Sequence, residues 1–217
     1  MKAMILAAGR GERMRPLTDH CPKPLLPVAG QPLVTYHLQR LAAAGIREVV
    51  INTAWLAEQL PMALGDGSAF GLHIHYSHEG TALETAGGIR RALPWLGEEF
   101  LLLNGDVYCD LDLALLAAQP APCLVLVDNP PQHPQGDFGL VSPKVVNSPR
   151  QYTYAGLAKL QAHLFEALPD GHGALGPLLR QWSEQGLLQG LHHKGYWQDV
   201  GTPERLARLD ADLRSQG

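Results

Sequence analysis

The sequence predicts an α/β protein: one Rossmann-like domain with a mixed, mostly parallel sheet flanked by helices. Three observations carry this expectation. The first half alternates short apolar runs with stretches of helical periodicity, the pattern of a parallel sheet whose crossovers cover both faces. Residues 3–8 and 100–106 open as unbroken apolar runs, as strands buried on both faces do. The length of 217 residues suits a single α/β domain, and no repeat, low-complexity tract or linker divides it.

The elements follow in order. The strand at residues 3–8 ends at Gly9. Leu33, Leu38 and Leu41 form a helical stripe that Gly45 stops. Residues 48–52 read as the next strand. Residues 55–64 read as a helix, with Pro61 as a kink or early end. Residues 72–77 alternate in the strand period, and a helix is expected to begin after Gly87-Gly88. The strand at residues 100–106 ends in a polar tip. Residues 111–119 are helical and 122–129 form a strand. The second half is less regular. Residues 136–141 and 151–157 look like short strands extending the sheet, and 177–185 and 203–214 like helices, the last with Pro203 in its first turn behind Thr202.

Composition narrows the function classes. Apolar residues make up 46% and charged residues 18%, which is enough material for a full core and excludes a disordered chain. The net charge of −4 argues against nucleic-acid binding by counterion release but leaves room for a small anion held by a few focused cations. Three cysteines without CxxC spacing exclude a disulfide framework or zinc ribbon. No apolar run approaches 18 residues, and the apolar stretch at the N-terminus is short for a signal peptide. A cytoplasmic protein without a membrane partner is the expectation.

The stretch after the first strand is the most informative. Gly9 and Gly11 let backbone amides turn toward a ligand, and Arg10, Arg13 and Arg15 add planar donors suited to phosphate oxygens. Lys23 follows between Pro22 and Pro24, which should hold it in an extended, stiff segment. A loop, arginines and a lysine at the carboxyl end of a parallel strand describe a polyphosphate site. It is neither a dinucleotide fingerprint, since Met14 stands where the third glycine belongs, nor a P-loop, since G-K-[ST] is absent. Two aspartates stand out besides. Asp106 ends the strand at residues 100–106, and Asp199 lies in an apolar segment that could deliver one acid into a crevice. Phosphate oxygens with one or two carboxylates are the usual way Mg²⁺ is held; a cap or turn role is the plain alternative for each.

The motifs LAAGxGxRMxPLT and PKPLLPVAGQPL, together nearly unbroken over residues 1–33, resemble the sugar-1-phosphate nucleotidyltransferases. The resemblance implies a nucleotidyltransferase domain over residues 1–217, its nucleotide part about 1–110 and its sugar part about 111–217. It implies nucleotide contacts at Ala8, Gly9, Gly11, Glu12, Arg13 and Lys23, with Lys23 and Arg13 catalytic. The LETAGG segment implies base contacts at Glu84, Gly87 and Gly88, and the NGD and WQDVG segments imply Asp106 and Asp199 as ligands of Mg²⁺. Sugar contacts are implied at Asn104, Asp137, Thr153 and Gly156. Many relatives carry a lysine in an E-K-P element; here Lys144 or Arg150 is the nearest substitute.

Further motifs, including DFGLV, PLLRQ and GYWQDVGTPERL, are most similar to the short uridylyltransferases of peptidoglycan recycling, which join UTP and N-acetylmuramate 1-phosphate. Short guanylyltransferases acting on mannose 1-phosphate share much of the pattern. Two other classes stay open. A non-catalytic sensor of nucleotide sugars would be expected to lack one of Arg13, Lys23, Asp106 or Asp199, and all are present. A glycosyltransferase would use Asp110-Leu111-Asp112, which capping explains better. The absence of a long C-terminal extension suggests a monomer. His73, His75 and His78 are expected as edge-strand residues rather than a metal site, His192 and His193 as a solvated turn, and Trp55, Trp95 and Trp182 as packing residues.

Overall fold

The computed structural model describes residues 1–215. The strands are β1 (Lys2–Leu6), β2 (Pro27–Val28), β3 (Gln31–Pro32), β4 (Glu48–Thr53), β5 (His73–His78), β6 (Glu99–Asn104), β7 (Val107–Cys109), β8 (Cys123–Asp128), β9 (Gly139–Val141), β10 (Lys144–Val146), β11 (Tyr152–Gln161), β12 (Gln189–His192) and β13 (Trp197–Asp199). The helices are α1 (Leu33–Ala43), α2 (Gln59–Leu64), α3 (Glu84–Ala92), α4 (Leu113–Ala117), α5 (His163–Glu166), α6 (Leu175–Glu184) and α7 (Pro203–Ser215).

Nine strands form one sheet in the order β5-β4-β1-β6-β11-β8-β12-β10-β9. Strands β5, β4, β1 and β6 run parallel, β11 is antiparallel to both neighbours, and β12 is parallel to β8. The architecture is the mixed, mostly parallel sheet the sequence predicts. The apolar strands sit at its centre: Ala3 and Ile5 of β1 face one core with α1 and α4, while Met4 faces the other with α3 and α6. A third, smaller core joins Met14, Leu26, Val28, Leu33, Val200 and Leu209, tying the glycine loop to α7. Met14 breaks the dinucleotide spacing for this reason: its side chain is a fully buried anchor for the loop.

Four local expectations are corrected. Ala7 and Ala8 leave the sheet, because β1 stops at Leu6. Helix α2 begins only at Gln59, so Pro61 lies in its first turn, where its missing N–H has no helical acceptor to lose, and causes no kink. The segment at 151–157 belongs to a ten-residue central strand rather than a peripheral one; its bulge between Tyr154 and Ala158 breaks the alternation. Helix α3 begins at Glu84, which places Gly87 and Gly88 inside it.

Candidate active site

At the carboxyl ends of β1, β4 and β6 lies a cavity of about 390 Å³, lined by Ala8, Gly9, Gly11, Glu12, Arg13, Lys23, Asn52, Glu79, Glu84, Thr85, Asn104 and Asp106 among others. This is where open α/β sheets receive ligands, because loops diverge there above the strand tips. The glycine loop is shaped by Gly11, which takes a left-handed conformation (φ 68°) and caps a single 3-10 turn over Glu12–Met14. The Thr18 hydroxyl donates to the Gly11 carbonyl at 2.8 Å, closing the loop. Within the described residues, no hydrogen bond consumes the amides of Gly9 to Arg13, which leaves a run of donors for an anion.

The three arginines divide. Arg13 lines the cavity. Arg10 does not; its guanidinium lies 3.8 Å from the Trp55 ring centroid and donates to the Thr18 carbonyl and, at 2.8 Å, to Asp19. Arg15 also pairs with Asp19, at 2.9 Å. These two cations hold the Asp19 carboxyl below its usual range, with Arg10 the main cause. Arg10 and Arg15 therefore brace the loop. Lys23 opens a 3-10 turn instead of an extended segment and is largely buried, with its Nζ 2.6 Å from Asp106 Oδ2.

A network that sequence reading missed supports the far wall. Ala7 N–H donates to Asn52 Oδ1 at 2.7 Å, Asn52 Nδ2 to Glu79 Oε1 at 2.7 Å, and Leu83 N–H to Glu79 Oε2 at 2.8 Å. Both side chains are buried, and each of their polar atoms has a partner. Their signal was positional, since each is a polar residue at the end of a parallel strand. The same network explains Gly87 and Gly88. A β-carbon on Gly88 would run into Glu79, and one on Gly87 would overlap the Gly171 carbonyl. The amides of Ala86 and Gly87 donate to Gly173 at 2.7 and 3.1 Å, so this helix start is closed by protein. Gly87 and Gly88 pack α3 against a loop and do not reach the cavity; Glu84 and Thr85 do, with Glu84 in a left-handed conformation (φ 60°).

A second cavity, about 240 Å³, adjoins the first and shares Asn104 and Asp106 with it. Its wall includes Gln132, His133, Thr153, Tyr154, Gly156 and Asp199. Asp106 and Asp199 are neighbours: β13 pairs antiparallel with β7, setting Asp199 opposite Val107, and Val200 N–H donates to the Asp106 carbonyl at 2.8 Å. Asp199 pairs with Arg205 and accepts from Gln132 Nε2 at 2.9 Å. Asp137 lines neither cavity. Its oxygens accept from Tyr154 N–H at 2.9 Å and bond His133 Nε2 at 3.0 Å. The buried Tyr154 hydroxyl has no partner among the described residues, and burial raises its pKa, keeping it a proton donor.

Lys144 donates to the Gly186 carbonyl at 2.8 Å, and neither it nor Arg150 lines the second cavity. His37, under the turn that carries Asp106, is buried and bonds the Asn104 carbonyl through Nε2 at 3.0 Å; burial lowers its pKa to about 4. His192 and His193 are not a free turn: they pair with Asp128 at 2.9 Å and Asp110 at 2.7 Å. Asp112 caps α4 by accepting from Ala114 N–H. His75 stacks on Trp95, and no group of three or more metal-ligating side chains occurs among the described residues. No helix of the described residues is long and apolar enough to cross a membrane.

A cavity at parallel strand tips, joined through Asn104 and Asp106 to a second polar cavity that holds Asp199, defines a group-transfer enzyme for phosphorylated substrates. The nucleotidyl transferase family profile matches residues 2–151, and the chain belongs to that family as a sugar-1-phosphate nucleotidyltransferase. It is 50% identical to the N-acetylmuramate alpha-1-phosphate uridylyltransferase of Neisseria meningitidis over 97% of both chains. It is 34% identical to the protein of the same name from Caulobacter vibrioides, over 98% of this chain and 96% of that one. Identity to the mannose-1-phosphate guanylyltransferase of Mycobacterium tuberculosis is also 34%, over 97% of this chain but 64% of the longer relative. In fold, the chain is similar to HddC from Yersinia pseudotuberculosis, with a TM-score of 0.81 and 21% identity over 98% of this chain and 99% of that one.

Proposed function

We propose that the chain transfers the uridylyl group of UTP to N-acetylmuramate α-1-phosphate, releasing pyrophosphate and forming a UDP-sugar of peptidoglycan recycling, and that it acts as a monomer. The observation that carries this reading is the junction at Asp106, where the donor-sized cavity and the second cavity meet. The choice of base and sugar rests on the identity, over nearly the whole of both chains, to the Neisseria and Caulobacter uridylyltransferases.

The reaction needs little covalent participation by the protein. An oxygen of the sugar phosphate attacks the α-phosphorus of the triphosphate in line. The bond to the bridging oxygen breaks, and its electron pair leaves with pyrophosphate. A phosphomonoester has its second pKa near 6, so the nucleophile is already anionic at neutral pH and no general base is required. What the protein must supply is alignment of two anions and cancellation of their repulsion. The amides of the Gly9–Arg13 loop and the Arg13 side chain receive the triphosphate, with Arg13 on the departing pyrophosphate. Lys23, held at the junction by Asp106, provides a positive charge for the α-phosphate and the incoming phosphate. Glu84 and Thr85 form the wall for the base. Asn104, Thr153 and Gly156 border the sugar.

Asp106 and Asp199 fit a divalent metal. They are hard oxygen donors, Asp106 in the turn before β7 where the two cavities meet and Asp199 on the paired strand β13 in the second cavity, and each is held in place by a cationic side chain, Lys23 or Arg205. A bound Mg²⁺ would supply neutralisation of phosphate charge there. Chelation is expected to stop turnover, and added Mg²⁺ to restore it.

The test is a pyrophosphate-release matrix of four nucleoside triphosphates against a panel of sugar 1-phosphates. UTP with N-acetylmuramate 1-phosphate is expected to turn over fastest. A preference for GTP with mannose 1-phosphate would replace this reading with the guanylyltransferase one, which the Mycobacterium relative supports.

A further inference from the structure

We propose that His133, held by Asp137, binds the acceptor's anionic oxygens in the second cavity, alongside Lys23 at the junction. The inference rests on the second cavity being the acceptor site. An acceptor phosphate carries a charge of about −1.5 to −2 at neutral pH. It must enter a cavity whose wall already holds two carboxylates, Asp106 and Asp199. Among the lining residues of that cavity, His133 is the one side chain able to carry a positive charge. Lys23 serves the junction, where it is bonded to Asp106, and is not part of that lining; Arg205 is engaged with Asp199, and Lys144 is bound to the Gly186 carbonyl.

The ring is positioned for this use. Asp137 bonds Nε2 at 3.0 Å while its other oxygen accepts from Tyr154 N–H at 2.9 Å, which ties the imidazole to the strand bordering the cavity. That bond engages one ring nitrogen and leaves Nδ1 for a ligand. A histidine ring that carries hydrogen on both nitrogens can donate through one to Asp137 and through the other to an anion. The loop carrying His133 is anchored from three sides. Gln132 donates to Asp199, Asn129 Nδ2 donates to the Pro134 and Arg150 carbonyls, and Thr153 donates to Asn129. A histidine on such a braced loop is pre-organised, which limits the ordering cost of binding.

The anion could be the acceptor's phosphate or a carboxylate on its sugar, and two acceptors separate them: N-acetylmuramate 1-phosphate has both, N-acetylglucosamine 1-phosphate the phosphate alone. Steady-state constants are measured for wild type, H133A, H133Q, H133K and D137N. In H133A the KM for the acceptor should rise about 10- to 100-fold, the range expected for losing a charged hydrogen bond. The KM for UTP and the Tm should stay near wild type. H133K should recover most of the loss, H133Q less, and D137N should show a smaller rise than H133A.

An equal loss on both acceptors assigns the phosphate, and a loss confined to N-acetylmuramate 1-phosphate assigns the carboxylate; either supports the proposal. An unchanged acceptor KM in folded H133A would overturn it, as would an equal rise for UTP or an H133K that behaves like H133A. Failure of the proposed function would instead show in the wild type, as absent turnover with these substrates. The same KM comparison would then be made on the pair that the wild type does use.

Discussion

On the proposed reading, the donor half of the site lies over strand tips, and the acceptor half is framed by the loop between β8 and β9 against β11 and β13. Around the donor cavity the polar groups belong to β4, β6, the segments after β1, β5 and β6, and the start of α3, and backbone amides are the main free donors. Around the acceptor cavity the fixed groups are side-chain pairs made by the loop between β8 and β9: Gln132 to Asp199 of β13, His133 to Asp137 within the loop, and Asn129 to Thr153 of β11. A triphosphate offers the same oxygens whatever its base, so a backbone cradle set by the sheet serves it. A sugar is distinguished by its substituents, and loop side chains can change without disturbing a sheet. Substitutions in the donor half should therefore act on turnover, and those in the acceptor half on acceptor affinity.

The largest effect should come where the halves meet. Asp106→Ala and Asp199→Ala are each expected to reduce pyrophosphate release by about 10³-fold or more, the scale of losing metal-borne charge stabilisation. Circular dichroism and Tm should remain close to wild type. Wild-type turnover in either variant would break the shared-junction account. Next, Lys23→Ala should lower kcat by roughly 10²- to 10³-fold, as removal of one pre-organised donor does. A Tm collapse without that kinetic signature would make Lys23 a structural residue.

The floor of the junction gives a pH prediction. His37 is buried and neutral under the Asn104–Asp106 turn, with its pKa lowered from 6.5 to about 4. Between those values the unfolded chain takes up a proton that the folded chain refuses, so its contribution is complete above pH 6.5 and is lost as pH falls to about 4. The loss amounts to about 3 kcal/mol at most. Urea midpoints measured from pH 7 to pH 4.5 should fall less steeply in His37→Gln than in wild type. Identical slopes would remove His37 from the account. The smallest effect separates two arginines of one loop. Arg10→Ala should cost about 1 kcal/mol of stability through its stacking and hydrogen bonds, with a far smaller loss of kcat than Arg13→Ala. Equal kinetic losses would place Arg10 on the phosphates.

The donor half was more legible in sequence than the acceptor half, for a physical reason. Buried parallel strands leave unbroken apolar runs, and a phosphate loop needs glycines and cations in close sequence, so β1, β6, the Gly9–Arg13 loop and Lys23 could be read directly. What sequence could not give was partnership across long separations. Arg10 looked like a phosphate ligand until Trp55 and Asp19 were seen to hold it. Gly87 and Gly88 looked like a helix opening, whereas helix α3 starts at Glu84, Gly171 and Gly173 fill the space against Gly87, and Glu79 and Asn52 fill it against Gly88. Asn52 and Glu79 lie 27 residues apart and become a pair only when β4 and β5 align. In the acceptor half, the bulge in β11 breaks the alternation that would have marked it as a long central strand. His192 and His193 gained carboxylate partners that no spacing announces.

The central claim, two cavities that meet at Asp106 with Asp199 beside it, is tested most directly by a crystal structure with Mg²⁺, a non-hydrolysable UTP analogue and the acceptor bound together. The account predicts the triphosphate along the Gly9–Arg13 loop, the metal between Asp106 and Asp199, and the acceptor in the second cavity with its phosphate at Lys23 and an anionic oxygen at His133. A triphosphate bound away from that loop, or an acceptor outside the second cavity, would contradict it.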